Sequence, residues 1–285
     1  MGINVLNFNI LTASYNSEKT IEKTFISLEN QRYDKKKLQW LVLDGESKDK
    51  SINLVESFDT EIKKQIFSEK DEGLYFAYNK GINLSKNNKG TIINFLDSDN
   101  EYANENVLSE VSEIFKKFNV DVVFSDLIYT NNKGKIIRHW SSKPDKKYSS
   151  KYNEIYFYNN FKLKDYFFGW SIPLPTIFIK SDFLQKVGPF DTKYSIASDY
   201  DWSLRMSFFK DIKVAYIPKV FVKMKLGGVS NKISNLIKIK QQDFKVIQNF
   251  YNNEKFNYLS IFSFVTLLLK NVRKIPQFFI KKNNL

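Results

Sequence analysis

The feature that most constrains the fold is an alternation of apolar and amphipathic segments through the first 130 residues. Strand-like apolar runs cover residues 3–12, 38–44, 61–69, 91–97 and 120–129. Between them, apolar side chains recur at helical spacing in residues 20–31, 50–58, 72–85 and 105–118. Nearly continuous apolar strands separated by amphipathic helices are typical of an α/β domain with a mostly parallel sheet.

Acids and hydroxyls follow four successive predicted strands. In chain order they are Thr12, Ser14, Asp44, Glu69, Asp71, Asp97 and Asp99. An Asp-x-Asp pattern is expected by chance in a chain this rich in aspartate, and a second one occurs at Asp199 and Asp201. Ligands of parallel α/β sheets bind outside the carboxyl ends of the strands. The position of these side chains, rather than the pattern itself, therefore predicts a site.

The composition limits the chemistry of this site. The chain has no Cys and a single His, His139, which excludes disulfides and thiolate ligands and argues against a zinc site or a Ser-His-Asp triad. Carboxylates and hydroxyls suit Mg²⁺ or Mn²⁺, which complete their shells with substrate phosphates and stabilise a departing diphosphate. The chain lacks both a P-loop motif and a G-x-G-x-x-G after its first strand. The residues therefore indicate group transfer from a nucleoside diphosphate.

Five sequence blocks, in order, carry a resemblance to a known family. They are ILTASYNSEKTIEKTFISLENQ (10–31), LVLDGESKDKS (41–51), EKDEGLYFAYNKGI (69–82), GTIINFLDSDN (90–100) and IFIKSDFLQKVGPFDTKYSIASDYDWSLRM (177–206). The chain resembles a family 2 glycosyltransferase with the GT-A fold, in the bacterial branch that builds surface polysaccharides. The resemblance implies a Rossmann-like, mostly parallel central sheet flanked by helices over residues 1–220, with a nucleotide-binding half (1–130) and an acceptor-side half (131–220).

The resemblance also implies a donor-side set of residues. Contact with the base and ribose is expected for Thr12, Ser14 and Asp44, and contact along the nucleotide-sugar for Asp71, Gly73 and Lys80. From the residues alone, the hydroxyls of Thr12 and Ser14 could instead satisfy loop amides, and Lys80 could be a solvated helix end. These alternatives stay open at the level of sequence.

The remaining roles concern the metal and the acceptor. The resemblance implies that Asp99 binds Mn²⁺ or Mg²⁺ directly and that Asp97 approaches the ribose or a metal-bound water. Asp199 falls where the family places its catalytic base, which takes the proton of the acceptor hydroxyl in an inverting transfer. We expect Asp201, two residues further along a helix, to form a structural salt bridge with Arg205.

The sequence departs from the family pattern near the expected sugar and acceptor side. Phe76 stands where the family usually has Asp, and Tyr78 where it has Met. LPTIF (174–178) replaces a frequent His-Gln pair, and Glu46 replaces a common Gly. These changes leave the nucleotide and metal residues in place and bear on which donor and acceptor are used.

The C-terminal part of the chain is strongly basic. Residues 211–285 hold 14 Lys or Arg against 3 Asp or Glu. Within a predicted basic, amphipathic, helical extension over 221–285, the apolar run 258–269 is too short to span a bilayer and has basic neighbours through residue 282. This pattern predicts a segment that lies on an anionic membrane surface; a core or subunit-contact helix is the alternative. With no secretory signal at residue 1, we expect a cytoplasmic protein, peripheral on the inner face of the cell membrane.

Together these patterns predict an inverting, metal-dependent glycosyltransferase. It would move a sugar from a nucleoside diphosphate, with UDP expected, to a growing glycan on a lipid pyrophosphate. One alternative is a sugar-nucleotide nucleotidyltransferase, but the segment TASYNSEKT (12–20) lacks the glycines of its loop. Another is a nucleic-acid-binding protein that uses the basic tail, but the chain lacks a basic-aromatic module of recognised type. No nucleic-acid partner is therefore expected.

Overall fold

The structure is a computed structural model that describes residues 5–86, 89–131, 133–141, 150–152, 155–158, 171–225 and 236–253. The strands are β1 (Phe8–Ser14), β2 (Leu38–Asp44), β3 (Lys63–Ser68), β4 (Ile92–Phe95), β5 (Asn100–Tyr102), β6 (Val122–Thr130), β7 (Ile136–Trp140), β8 (Ser150–Tyr152), β9 (Ile155–Tyr158), β10 (Phe178–Lys180) and β11 (Val214–Lys225). The helices are α1 (Ile21–Glu29), α2 (Ser51–Ser57), α3 (Leu74–Ser85), α4 (Val107–Phe118), α5 (Ser181–Val187), α6 (Ser198–Met206) and α7 (Leu236–Asn253).

The strands form one mixed sheet in the order β3-β2-β1-β4-β10-β6-β11-β9-β8, with β5 paired to β11 and β7 to β6. The predicted parallel arrangement holds for β1 to β4. Beyond β4 the sheet is mixed, because β10 enters antiparallel to both β4 and β6, and because a short turn can only join β6 to an antiparallel β7. As β6 is thereby parallel to β4, its carboxyl end lies at the same edge as the ends of β1 to β4.

Two apolar clusters cover the two faces of the sheet. Leu11 and Leu43 point toward α3, α5 and α6 on one face, whereas Ile10 and Trp40 point toward α1, α2 and α4 on the other. This is the alternation that a strand buried on both faces requires. On the first face, a Cβ at Gly81 would lie 2.7 Å from Leu43 Cδ1, so only glycine lets α3 approach β2 this closely.

The described part of the C-terminal segment packs on the preceding domain. β11 continues across residue 220, where the sequence predicts a boundary, to Lys225. Val246 and Ile247 of α7 are buried in the same cluster as Leu11. Residues 254–285 lie outside the described residues, so the basic interfacial segment stays a prediction. Among the residues described, no helix combines the length and the apolar character needed to cross a membrane.

Candidate active site

A cavity of about 250 Å³ opens at the carboxyl ends of β2 and β3. We call it the β2–β3 cavity. Its lining includes Asp44, Asp71, Phe76 and Lys80, together with Glu69. Three of the predicted donor-side residues are therefore brought together, because the ends of parallel strands meet at one edge and α3 starts beside them.

Asp44 ends β2 and is buried at the cavity wall. Its Oδ1 accepts a hydrogen bond from Ser47 Oγ (2.5 Å), and its Oδ2 accepts from Ser47 N (2.9 Å) and Ser68 Oγ (2.7 Å). Hydrogen bonds to a carboxylate offset the loss of its hydration on burial. The loop after β2 and the end of β3 thus hold the Asp44 side chain in one orientation.

Asp71 lies over the backbone of the loop after β2. A Cβ at Gly45 would be 3.2 Å from Asp71 Oδ1, so a side chain there would press on the carboxylate. The backbone N–H of Gly73 donates to the same oxygen at 2.9 Å. Gly73 precedes α3 with a φ of +124°, a conformation that side chains rarely allow. Gly73 is therefore needed for its positive φ, in addition to its predicted contact with the nucleotide-sugar.

Lys80 faces the cavity from α3. Its Nζ lies 2.7 Å from Glu69 Oε1 and 5.1 Å from the centroid of the Phe67 ring. Burial raises the pKa of Asp71, the charges of Asp44 and Glu69 raise it further, and Lys80 opposes them. Lys80 is therefore a paired, partly buried cation of the cavity, whose lining also includes Lys70, and not a solvated helix end.

Asp97 and Asp99 follow β4. The Tyr78 hydroxyl donates to Asp97 Oδ1, and the Asn100 side-chain amide donates to Oδ2 at 3.3 Å. Burial raises the pKa of Asp97 to about 7; the negative charges of Asp99 and, to a smaller extent, Asp199 add to the rise. Asp99 and Asp199 thus both lie within electrostatic reach of Asp97.

Asp99 has a cation at its side that the sequence motifs do not show. Burial raises the pKa of Asp99, and the positive charge of Lys225 acts in the opposite direction. β11 runs antiparallel to β5 with Met224 opposite Asn100, which brings the ends of the two strands, and with them Lys225 and Asp99, together. Lys225 lies far from Asp99 along the chain, so only the strand pairing reveals it.

Asp199 lies in the first turn of α6 and is partly buried. Asp199 Oδ1 lies 3.1 Å from the Tyr75 hydroxyl and accepts a hydrogen bond from the backbone N–H of Tyr200 at 2.8 Å. The Tyr75 hydroxyl also lies 2.9 Å from the carbonyl oxygen of Ile196. Tyr75 belongs to the first turn of α3, so this contact joins the two halves of the domain around the site. Sequence analysis missed Tyr75, because nothing in the motif shows which partner its hydroxyl meets.

The segment before α6 is anchored by α7. Gln242 Oε1 accepts from the backbone N–H groups of Ile196 (2.9 Å) and Ala197 (3.1 Å), and its Nε2 donates to Ser195 Oγ (2.9 Å). Asn249 Nδ2 donates to the Tyr194 hydroxyl at 2.7 Å. Helix α7 thereby fixes the start of α6, which carries Asp199.

The predicted structural pair next to Asp199 is confirmed. Arg205 Nε lies 2.9 Å from Asp201 Oδ2, one helical turn away. The other guanidinium nitrogens donate to the carbonyl oxygens of Val187 and Pro189. Asp201 therefore holds the Arg205 side chain, which ties α6 to the end of α5.

Thr12 and Ser14 lie apart from the cavity lining. Thr12 is fully buried, and its Oγ1 accepts from the indole N–H of Trp40 on the neighbouring strand at 2.8 Å. The hydroxyls of Ser14 and Ser17 are 2.6 Å apart. Both hydroxyls thus have local partners, which fits the alternative that they serve the fold; their contact with a base or ribose stays a prediction.

The oxygen atoms after β4 fit a hard divalent cation. The carboxylates of Asp97 and Asp99 repel each other, and Oδ1 of Asn100 is buried with no hydrogen-bond partner among the residues described. Across those same residues, no group of three or more acidic or histidine side chains is arranged to hold an ion. A cation here would be held by Asp97 and Asp99 and would need further oxygen ligands from a substrate, as Mg²⁺ sites on phosphates commonly do.

Comparison with known proteins supplies relatives. A sequence model of the family described as "Glycosyl transferase family 2" matches residues 9–174. Glycosyltransferase AglE of Haloferax volcanii is 24% identical over 200 residues, which are 69% of this chain and 60% of that protein. The chain thus spans less than two thirds of the length of this relative.

Solved structures share the fold at low identity. The structure of Staphylococcus aureus TarS 1-349 in complex with UDP-GlcNAc aligns with a TM-score of 0.62 at 16% identity, covering 86% of this chain and 67% of that one. The mannosyltransferase PcManGT from Pyrobaculum calidifontis, in complex with GDP-Man and Mn²⁺, aligns with a TM-score of 0.62 at 14% identity, covering 99% and 77%. At these identities the likeness establishes the fold.

Proposed function

Because the chain belongs to glycosyl transferase family 2, we propose that it is an inverting, metal-dependent glycosyltransferase that uses a nucleoside diphosphate sugar. The proposed nucleotide is UDP, and the proposed acceptor is a growing, lipid-linked surface glycan. The observation that supports this most directly is the electrostatic coupling of Asp97 with Asp99 and Asp199 at one edge of the sheet. That arrangement joins a metal-binding pair to a third carboxylate suited to proton transfer.

The β2–β3 cavity supports nucleotide binding. Asp44 is held by Ser47 and Ser68 in a fixed orientation, as a carboxylate that recognises hydroxyl or N–H groups must be. Lys80 offers a positive charge from α3, and its Nζ forms an ion pair with Glu69. The base and ribose would occupy this cavity, and the diphosphate would extend from it toward Asp97 and Asp99. The TarS and PcManGT structures hold UDP-GlcNAc and GDP-Man, which supports a nucleotide-sugar donor here.

Asp99 and Asp97 would hold Mn²⁺ or Mg²⁺. When bound, the ion would neutralise the negative charge that develops on the departing diphosphate. Lys225 lies beside Asp99 and adds a positive charge from the protein itself. Tyr78 donates to Asp97 and thereby fixes one of the two carboxylates.

Asp199 would act as the general base. Tyr75 and the backbone of Tyr200 bind its Oδ1 and so orient the carboxylate. In that role the carboxylate takes the proton of the acceptor hydroxyl while the hydroxyl oxygen attacks the anomeric carbon on the face opposite the diphosphate. Inversion at that carbon follows from a single displacement.

The proposed acceptor is supported by similarity to a relative over part of the chain, and the proposed location by the basic C-terminal segment. TarS, 26% identical over 132 residues, is named as a poly(ribitol-phosphate) β-N-acetylglucosaminyltransferase, which supports a polymeric acceptor. We infer that the basic segment after residue 253 holds the protein on the inner face of the membrane. Removal of residues 255–285 is expected to lower co-sedimentation with anionic vesicles, and unchanged binding would refute a role for that segment.

The first experiment is calorimetric titration of UDP into the wild type and Asp99→Ala, with and without Mn²⁺. We expect Mn²⁺-dependent binding in the wild type and its loss in the variant. Asp211→Ala is the matched control, because Asp211 is an exposed acid in the turn before β11.

The outcomes separate the proposals. Equal loss in Asp211→Ala would point to a general charge effect. Failure of the wild type to bind UDP while it binds GDP would change the proposed nucleotide. Failure with every nucleoside diphosphate would overturn the proposed donor and leave the acids after β4 without a role in nucleotide binding.

A further inference from the structure

The hairpin of β6 and β7 presents two isoleucines to solvent within a basic segment. Ile136 is 46% exposed and Ile137 is 52% exposed. Isolated exposed apolar residues are ordinary on protein surfaces, but two consecutive large ones are an unusual cost in water. We call residues 130, 131 and 133–140 the β6–β7 hairpin.

The backbone explains why both side chains are exposed. The pairing register shifts between Tyr129, opposite Arg138, and Thr130, opposite Ile136. Ile137 is therefore an extra residue on β7, and a bulge of this kind re-aims side chains that would otherwise alternate between the faces of a sheet. The bulge keeps the isoleucines out of the core.

The turn of the hairpin is well defined. Asn131 Oδ1 accepts from the backbone N–H groups of Lys133 (2.9 Å) and Lys135 (3.0 Å), and Asn131 N donates to Lys135 O (3.0 Å). Gly134 has a φ of +75°, which suits glycine at this point of the turn. Hydrogen bonds of Asn131 with Lys133 and Lys135 therefore hold the described residues of the turn.

The Lys and Arg residues described next to the isoleucines along the chain give the hairpin a positive charge. Lys133 and Lys135 are exposed, Arg138 is partly exposed, and the sequence contains no Asp or Glu from residue 127 to 144. Lysines alone would be explained as protection of an edge strand from unwanted pairing. Consecutive exposed isoleucines have the opposite effect, so edge protection does not account for the whole segment.

The hairpin also lies beside the acceptor side of the candidate site. β6 is parallel to β4, so the hairpin leaves the sheet at the edge that carries Asp97 and Asp99. Arg138 lies 5.3 Å above the ring of Tyr129. Burial raises the pKa of Tyr129; Arg138 lowers it, and Asp199 raises it further, which places this end of β6 within electrostatic reach of Asp199.

We propose that the β6–β7 hairpin docks on an anionic lipid bilayer, with Ile136 and Ile137 entering the interface and Lys133, Lys135 and Arg138 contacting lipid phosphates. Apolar insertion combined with basic contacts is how interfacial segments bind anionic membranes. Docking there turns the Asp199 side of the site toward the membrane, where a lipid-linked acceptor would be presented. The proposal rests on the proposed function only for that last point, and it is separate from the predicted role of residues 254–285.

The test is co-sedimentation of the full chain with vesicles of phosphatidylglycerol and phosphatidylcholine, compared with phosphatidylcholine alone. Ile136→Asp/Ile137→Asp is expected to lower the partition coefficient at least about tenfold. Lys133→Gln/Lys135→Gln should lower it roughly fivefold per charge on anionic vesicles only. The matched control is Ile26→Asp/Leu84→Asp, which alters two exposed apolar residues, 46% and 41% exposed, on α1 and α3. It should bind within about twofold of wild type.

Several results would overturn the proposal. One is that the wild type does not bind the vesicles, and another is that the Ile136→Asp/Ile137→Asp variant binds them as well as the wild type. A third is that this variant changes its self-association in sedimentation velocity while its vesicle binding is unchanged. Binding to nucleic acid in place of vesicles would also overturn it. UDP titration of the same variants keeps the two proposals apart, because the hairpin variants should retain wild-type UDP affinity.

Discussion

The two ends of the candidate site satisfy their carboxylates in different ways. At the end of β2, Asp44 receives three hydrogen bonds from Ser47 and Ser68. At the end of β4, Asp97 lies close to Asp99 and Asp199, and their charges add to the rise of its pKa. The first end is complete within the protein, whereas the second has a surplus of negative charge that a cation would stabilise. Four substitutions test this contrast, from the largest expected effect to the smallest.

Asp199→Asn should give the largest loss. Removal of a general base lowers kcat by about 10²–10⁴-fold, because the acceptor hydroxyl loses its proton acceptor. The measurement is the initial rate of UDP release from a UDP-sugar that the wild type turns over. Asp201→Asn is the control from the same helix, since it breaks the pair with Arg205 and should lower the melting temperature while leaving kcat within about threefold. Equal losses in both variants would assign the effect to the integrity of α6.

Asp97→Asn should change how stability depends on pH. In the folded protein the pKa of Asp97 is about 7, above its unfolded value, so the folded state binds more protons between these two values. Asp97 should therefore lower the stability of the metal-free wild type as pH rises from about 4 to 7, and the variant should lack this contribution. Relative to wild type, the variant should gain on the order of 2 kcal/mol in unfolding free energy between about pH 5 and pH 8.

Urea denaturation in a chelator at the two pH values measures this difference, and excess Mn²⁺ should raise the stability of the wild type at the higher pH. Parallel pH profiles for the two proteins would contradict a surplus of charge at the end of β4.

Lys225→Ala should weaken UDP binding modestly. Lys225 contributes positive charge beside Asp99, so its loss should raise the dissociation constant for UDP with Mn²⁺ about three- to tenfold, less so at high salt. Lys219→Ala is the control on the same strand, because Lys219 pairs with Glu110 at 2.7 Å, away from the site. Unchanged or tighter UDP binding in Lys225→Ala would limit Lys225 to neutralising Asp99.

Ser68→Ala should give the smallest effect. It removes one of three hydrogen bonds to Asp44, and the remaining two should limit the loss of unfolding free energy to about 1 kcal/mol. Ser57→Ala is a matched control, because Ser57 is exposed and donates only to a carbonyl oxygen of its own helix. A large loss of stability at Ser68 would show that Asp44 depends on every donor and is not complete in the sense described.

The GT-A fold and the family could be predicted from sequence, and both are confirmed. The positions of Asp44, Asp71, Asp97 and Asp99 were accessible for a physical reason: they lie at or just after the ends of β2, β3 and β4, and parallel strands end at one edge. Their individual roles stay predictions. The metal and the membrane segment likewise stay predictions.

Other features depend on partners that are remote in sequence. The Thr12 hydroxyl accepts a hydrogen bond from Trp40 of the neighbouring strand, and the sequence around Thr12 does not reveal this contact. Lys225 reaches Asp99 only through the pairing of β5 with β11. Tyr78 did carry a signal, since it departs from the family pattern, and its hydroxyl binds Asp97. The mixed half of the sheet was missed because β10 joins it from the opposite direction.

The contact of Gln242 with the segment before α6 bears on how relatives of this protein could diverge. The Gln242 side chain binds the backbone just before α6. The orientation of Asp199 therefore depends partly on α7, which follows β11. Recombination that exchanged this helix between relatives would change how the segment before Asp199 is held, while the contacts of Asp44 with Ser47 and Ser68 would stay. Under the proposed function, substitutions in α7 would then alter turnover while leaving the β2–β3 cavity, whose lining includes no residue of α7, unchanged.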